Sequence, residues 1–359
     1  MHKRPWRCMP PWAPSRSLRG SFHLTTFMSG PPLTQPLTHR ASEALCWSLL
    51  ALAQVHAGQG HNSLHSGRRA LALSKESKHV WVQITSMVDL TQGLLDVGAY
   101  EEALGLLQDA MALARTLPPT LTLQRFLFGL GKTYHALQQW DEARSTLAEA
   151  AALASTLDLR RLYVPTLSLL CMNYAQAGEW EAASRYAVQA SALRKHADAA
   201  LIPLDFSPQY ETEALLRGGD ERQAREAVQR LGERVGTNRR FRLPYLQAEA
   251  RLSAWEGQSE QAIGHLREAA GLAADLGLPG ECWQIQAALG RLYEAAGDPA
   301  QACTAFGEAA RIIQGLAEGI KDETLRSRFL AGSQIHQVVQ QAQSEVSPVP
   351  QDHTEQQER

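Results

Sequence analysis

Over most of the chain, apolar residues return every three or four positions in blocks of about 15–18 residues, the spacing of one face of an α-helix. The blocks are broken by short turns of one recurring form. These read DVGAYEEAL from Asp96, LQQWDEARS from Leu137, QAGEWEAAS from Gln176 and AAGDPAQAC from Ala295. With the glycine as anchor, the series is Gly58, Gly98, Gln138, Gly178, Gly219, Gly257 and Gly297, at intervals of 40, 40, 40, 41, 38 and 40 residues. Such a period marks a repeat array, and each unit reads as two antiparallel helices.

Other positions keep the register. Five residues after the anchor stand Ser63, Ala103, Ala143, Ala183, Ala224, Ala262 and Ala302. Twelve after it stand Ala70, Ala110, Ala150, Ala190, Leu231, Ala269 and Ala309. Eight before it stand Leu50, Leu90, Leu130, Leu170, Glu211, Glu249 and Leu289, and four before it Gln54, Leu94, Tyr134, Tyr174, Leu215, Ser253 and Tyr293. The anchor glycine lets the chain leave a helix through a left-handed or tight turn. The alanines allow two helices to approach, and the large residues fill the space opposite. One hairpin cannot bury its apolar face, but a stack of hairpins can.

The residues Leu130-Gly131, Tyr134, Trp140, Ala143, Leu147 and Ala150 resemble a tetratricopeptide repeat, as do Leu289-Gly290, Tyr293, Gly297-Asp298, Ala302, Phe306 and Ala309. The resemblance covers about residues 41–315. The period is longer than that family's usual one, and the long form is similar to the MalT-like repeat region of bacterial transcriptional activators, which are signal-transduction ATPases. The stretch from Gly319 to Ser333 resembles the helix that closes such arrays. Units 1, 5 and 6 depart from the pattern, because Glu211 and Glu249 stand where leucine is usual and Gly67 where a large residue is. The fold expected is all-α, a right-handed solenoid of about seven hairpins with a C-terminal capping helix.

Composition supports this. Hydrophobic residues make up 44% and aromatics only 7%, a balance that favours helix over sheet. The net charge of −2 argues against a nucleic-acid coat or a membrane-surface protein. Five widely spaced cysteines, with no C-x-x-C pair, fit neither a disulfide framework nor a thiolate zinc site, so a reducing, cytoplasmic home is expected. Residues 1–40 hold six basic residues, no acid and seven of the seventeen prolines. They read as a disordered segment before a repeat domain at 41–342, with Met28 as the expected start and 343–359 as a polar tail. An acid-free, arginine-rich start also has the composition of an organelle transit peptide, although it lacks the apolar run of a secretory signal.

Candidate chemistry is sparse. Gly129-Leu130-Gly131-Lys132-Thr133 ends like a phosphate-binding loop, but Phe126 stands where that loop needs glycine and no strand precedes it. Close helix packing explains Gly131 better. His56, His61 and His65 read as an exposed histidine run rather than metal ligands. No catalytic constellation appears, and no cofactor or metal is expected. Tyr134, Tyr174, Tyr293, Trp140 and Trp180 recur at repeat positions and are expected in the core.

The resemblance implies a concave groove lined by first helices. Carried onto this chain, its partner-facing positions are Gln92, Asp96, Arg125, Lys132, His135, Gln176, Gln209, Glu213, Arg217, Gln247, Arg251, Arg291 and Glu294, with Trp255 as an aromatic anchor. A solvated face serves equally well for the set, with Glu213 and Arg217 a simple i,i+4 pair. The function expected is a non-enzymatic protein-interaction scaffold, a bacterial regulator or sensor that binds a peptide or protein segment. The alternative is a repeat domain that senses a small-molecule inducer. Arg251 and Arg291 occupy one position in adjacent units, so the partner expected is acidic. Neither nucleic acid nor membrane is expected to bind directly, and nothing in the sequence sets the oligomeric state.

Overall fold

The computed structural model describes residues 38–116, 120–195 and 204–344. The expected disordered ends and Met28 fall almost wholly outside them. Among the described residues the chain is entirely helical, with sixteen helices and no strand. Seven hairpins follow one another: α1 (His39–His56) with α2 (Gly60–Ser77), α3 (Val80–Asp96) with α4 (Tyr100–Ala114), α5 (Leu121–Ala136) with α6 (Trp140–Thr156), α7 (Arg160–Gln176) with α8 (Trp180–Lys195), α9 (Pro208–Arg217) with α10 (Glu221–Val235), α11 (Arg239–Trp255) with α12 (Ser259–Leu276), and α13 (Pro279–Ala295) with α14 (Pro299–Gly319). The short α15 (Glu323–Leu330) and α16 (Ser333–Ser344) close the array, with α16 lying on α14.

The hairpin turns are built alike. Each anchor takes a left-handed conformation, from φ 71° at Gly58 to 82° at Gly219, and Gln138 does so without being glycine, at φ 62°. In every unit the residue after the anchor donates its N–H to the carbonyl four residues before the anchor. Examples are Ala99 to Leu94 and Glu179 to Tyr174, both at 2.9 Å. This is the six-residue closure that ends a helix cleanly on a left-handed residue.

Packing follows the register. Ala103, Ala143, Ala183, Ala224, Ala262 and Ala302 are wholly buried, and so are Ala70, Ala110, Ala150, Ala190, Ala269 and Ala309. A Cβ on Gly131 would meet Leu147 at 2.6 Å, and one on Gly290 would meet Phe306 at 2.7 Å. Both glycines let the first helix of a hairpin press against a large residue of the second. The tyrosines and tryptophans are more mixed than expected: Tyr293 is buried, whereas Tyr134, Tyr174, Trp140 and Trp180 are partly exposed.

The stack winds tightly enough to touch itself. Leu276, at the joint before unit 7, lies over the turn at Gly58, and Pro279, which opens unit 7, lies with Leu316 over the turn at Gly98. Gly280 sits on the Tyr100 hydroxyl, Phe329 packs beside the Tyr100 ring, and Gly332 covers Gln138. Asn238, which opens unit 6, donates its amide to the backbone oxygen of His56 in unit 1 at 3.2 Å. Unit 6 thus lies over unit 1, unit 7 over unit 2, and the closing helices over unit 3, an advance of five units per superhelical turn.

Candidate functional site: the inner face of the superhelix

First helices line the inside, as expected, but closure divides that lining into a sealed stretch and an accessible one. In α3, fourteen of seventeen residues are buried, so the helix is enclosed on all sides. Gln92, Asp96, Arg125, His135, Gln176, Gln209 and Gln247 are all buried, and Lys132 is half-buried. The groove expected to run open along the whole array is therefore filled by the chain itself over units 1 to 4, and the burial reaches Gln209 and Gln247 in units 5 and 6.

The filling is a polar network around Phe206. Arg240 lies 1% exposed, 3.4 Å from Asp96 and 2.6 Å from Glu281, with its guanidinium 3.9 Å above the Phe206 ring. Lys132 donates to the Gln92 side chain at 3.3 Å and stands 5.7 Å from the same ring. Asp89 pairs with Arg125. A buried guanidinium persists only with compensating charge, and Asp96 and Glu281, from units 2 and 7, supply it. Burial lowers the pKa of Lys132 from its ordinary value.

His56 corrects a sequence expectation. It is buried, not part of an exposed run, although His61 and His65 are exposed. Its Nδ1 donates to the Leu52 carbonyl at 2.8 Å, and its Nε2 accepts the Leu204 N–H at 3.0 Å. Its ring stacks on Phe241 and lies 5.9 Å from Phe206. Both nitrogens are used in the neutral form, and burial lowers the pKa to about 4. His135 is lowered to about 3 by burial and then by the charge of Lys132.

A second network lies under the irregular fifth unit. Arg194 of α8 pairs with Asp205 and, at 2.8 Å, with Glu211 of α9, and donates to the Ser168 hydroxyl at 2.7 Å. The adjoining cavity, lined by Arg194, Asp205, Glu211, Arg230, Arg234 and Phe241, is about 30 Å³. That is room for water and far below the several hundred Å³ of a small-molecule site. Phe206, Arg240, Arg194 and Asp205 were not among the sequence candidates. The one signal of the second network was Glu211 at a leucine position.

The accessible stretch belongs to units 5 to 7. Glu213 accepts from Arg217 and from Arg251, each at 3.1 Å. Arg217 also stacks 4.1 Å over Trp180, and Arg251 lies 4.7 Å over Tyr210. The Tyr210 hydroxyl donates to Gln284 at 3.0 Å and accepts from Gln176 at 2.8 Å, which closes the floor of this stretch. Trp255 is 48% exposed at the rim, its indole N–H held by Glu221 at 3.2 Å. Arg291 and Glu294 are exposed, and neither forms a hydrogen bond or ion pair among the described residues. Burial by the surrounding walls lowers the pKa of Arg291, and the neighbouring charge of Arg251 adds to this. Arg251 is thus paired with Glu213, whereas Arg291 forms no ion pair, and the charges of Tyr210, Glu213 and Glu294 oppose that of Arg251 beside it. Among the described residues, no group of three or more His, Cys, Asp or Glu is placed to hold a metal. No helix is long and apolar enough to cross a membrane among the same residues.

No protein-family model matches the sequence, and no curated protein matches it. Solved structures do share the fold. A Rap protein complexed with competence and sporulation factor superposes with a TM-score of 0.64 at 11% identity, covering 77% of each chain. Aspartyl phosphate phosphatase F from Bacillus subtilis superposes at 0.56 and 14% identity, covering 77% of this chain and 70% of the other. At such identities the likeness concerns the fold, which is a tetratricopeptide-like helical solenoid.

Proposed function

We propose that this protein is a non-enzymatic interaction scaffold that holds an extended, carboxylate-bearing peptide segment against the inner face of units 5 to 7. The observation that carries the reading is Arg291, a guanidinium inside a concave wall, open to solvent, with Arg251 beside it and no partner among the described residues. An exposed guanidinium without an ion pair is open to a carboxylate, which it grips through two parallel hydrogen bonds. Trp255 offers an apolar surface at the rim of the same stretch. That a similar fold is described in complex with a competence and sporulation factor supports partner binding by this architecture. The likeness of the repeats to the MalT-like form supports a regulatory or sensory role, and the odd, widely spaced cysteines support a cytoplasmic setting. A small-molecule inducer is the weaker reading, because the enclosed cavity beside Arg194 is too small for one.

Selection from a random peptide library on the full chain tests this. Recovered peptides should be rich in Asp and Glu. Their affinity should fall about tenfold to a hundredfold in Arg291→Glu, the loss of one charge-assisted contact. Recovered peptides without acidic bias, or equal affinity for the variant, would overturn the reading.

A further inference from the structure

Unit 5 gives up the start of its own first helix. Phe206 stands thirteen residues before the anchor Gly219, the register that holds Arg125 in α5 and Gln284 in α13. Those two residues are helical, whereas Leu204 to Ser207 are not, and α9 begins only at Pro208. Chain length does not force this, because the anchor interval into the unit is 41 residues, against the usual 40. Leu204 takes φ 60°, a conformation that costs free energy in any residue with a side chain and persists only where the surroundings hold it.

The surroundings hold this stretch as a groove holds a ligand. The N–H of Leu204 goes to His56 of α1 at 3.0 Å, and the Asp205 carboxylate accepts from Arg194 of α8 at 3.0 Å. The Phe206 ring lies under the Arg240 guanidinium of α11 at 3.9 Å and 5.7 Å from the Lys132 ammonium of α5. It also shares an apolar cluster with Val55, Phe128 and Phe241. Apart from Arg194, these groups come from the first helices of units 1, 3 and 6, so the ring stands against the inner face. A cation attracts the face of an aromatic ring most strongly away from water, and an apolar wall completes the fit. The wall has polar capacity that the segment leaves unused. Arg240 keeps Nε and Nη1 buried without a hydrogen-bond partner, and Gln92 Nε2, Asp96 Oδ2 and Glu281 Oε2 are buried without one as well. Buried polar groups in proteins are nearly always bonded, and spare donors and acceptors on an inner face suit the amides of a bound peptide.

We propose that this is a peptide subsite for an aromatic side chain preceded by an acid, and that Leu204-Asp205-Phe206 occupies it in cis until a partner segment of the same chemistry displaces it. The inference rests on the reading of the inner face as a peptide surface, but on different residues from the stretch at Arg291. The cis segment is tethered, so it competes at a high effective concentration. A free peptide binds in proportion to the fraction of chains whose subsite is open. Weakening the cis segment therefore strengthens binding of the free one.

The probe is acetyl-Leu-Asp-Phe-Ser-amide, which reproduces residues 204–207. Calorimetric titration of the full chain should show affinity about tenfold higher, or more, for Phe206→Ala than for wild type. Phe206→Leu keeps apolar filling but loses the contact with Arg240. It should fall between the two, and it serves where Phe206→Ala does not fold. The peptide with Ala in place of Phe should bind none of them. In the bound variant the Leu204 amide should exchange faster than in the free variant, because the peptide takes its place on His56. Arg291→Glu should leave this binding unchanged, so failure here is distinct from failure of the site on units 5 to 7. Folded variants that do not bind the peptide, equal affinity for wild type and variants, equal binding of the Phe and Ala peptides, or a Leu204 amide that stays protected would each overturn the proposal.

Discussion

At the residue scale, His56 shows how a side chain with two ordinary hydrogen bonds becomes a titration point. An unfolded histidine takes a proton near pH 6.5, whereas His56 does so only near 4, because burial disfavours the charged ring. The unfolded chain thus binds more protons than the folded one between those values. Stability is lost as pH falls from about 6.5 to about 4, by about 3 kcal/mol for this group alone. Replacing His56 with Gln removes the titration. The stability gap between wild type and His56→Gln, from urea melts at stepped pH, should therefore narrow by about 2–3 kcal/mol between neutral pH and the lower end of that window. A constant gap would show that the ring is charged in the folded protein or reached by water. Nothing in the sequence around His56 predicts this state. The residue ends a first helix, where the neighbouring pattern suggests exposure, and its burial comes from Leu204, Phe206 and Phe241, far along the chain.

At the scale of the element, unit 5 is the exception that explains itself. Its first helix, α9, has ten residues where the other units have sixteen to eighteen, and the chain enters it through a non-helical stretch from Leu204 to Ser207, with Leu204 at φ 60°. That stretch brings Asp205 to Arg194 and carries Phe206 inward. Glu211 is tolerated at a leucine position because Arg194 and Ser168 meet its carboxylate. Removing Arg194 leaves two buried carboxylates without a cation, so Arg194→Ala should cost about 3–5 kcal/mol in chemical denaturation. An unaffected midpoint would mean that water already solvates the two acids. The anchors, alanines and close-packing glycines of the regular units were legible one by one.

At the scale of the molecule, closure separates glycines that look equivalent in sequence. Gly98 and Gly257 both stand at φ near 80°, at 80° and 77°. A Cβ on Gly98 would strike Leu316 at 2.3 Å and Pro279 at 3.1 Å, whereas one on Gly257 meets open space. Gly257→Ala should therefore cost only the left-handed backbone, about 1–2 kcal/mol. Gly98→Ala adds the overpacking of the covered edge, about 1–3 kcal/mol more. Equal losses in thermal unfolding of the two variants would show that unit 7 does not press on unit 2. Closure also decides the inner face: the positions taken as an open groove split into a sealed network over units 1 to 4 and a stretch over units 5 to 7 that keeps Arg291 and Glu294 in solvent.

The sequence alone determined what depends on near neighbours. The period, the antiparallel hairpins, the positions of the seven turns and the buried alanine contacts each follow from spacings of a few residues within one helix or one turn. Only the tertiary structure decided how far each unit rotates on the last. That rotation is a small quantity summed over the array, written in no single residue, and five units of it bring Asn238 to His56 and Pro279 to Gly98. Which inner side chains are sealed, which acids neutralise Arg240, and which turns remain bare all follow from where that sum closes.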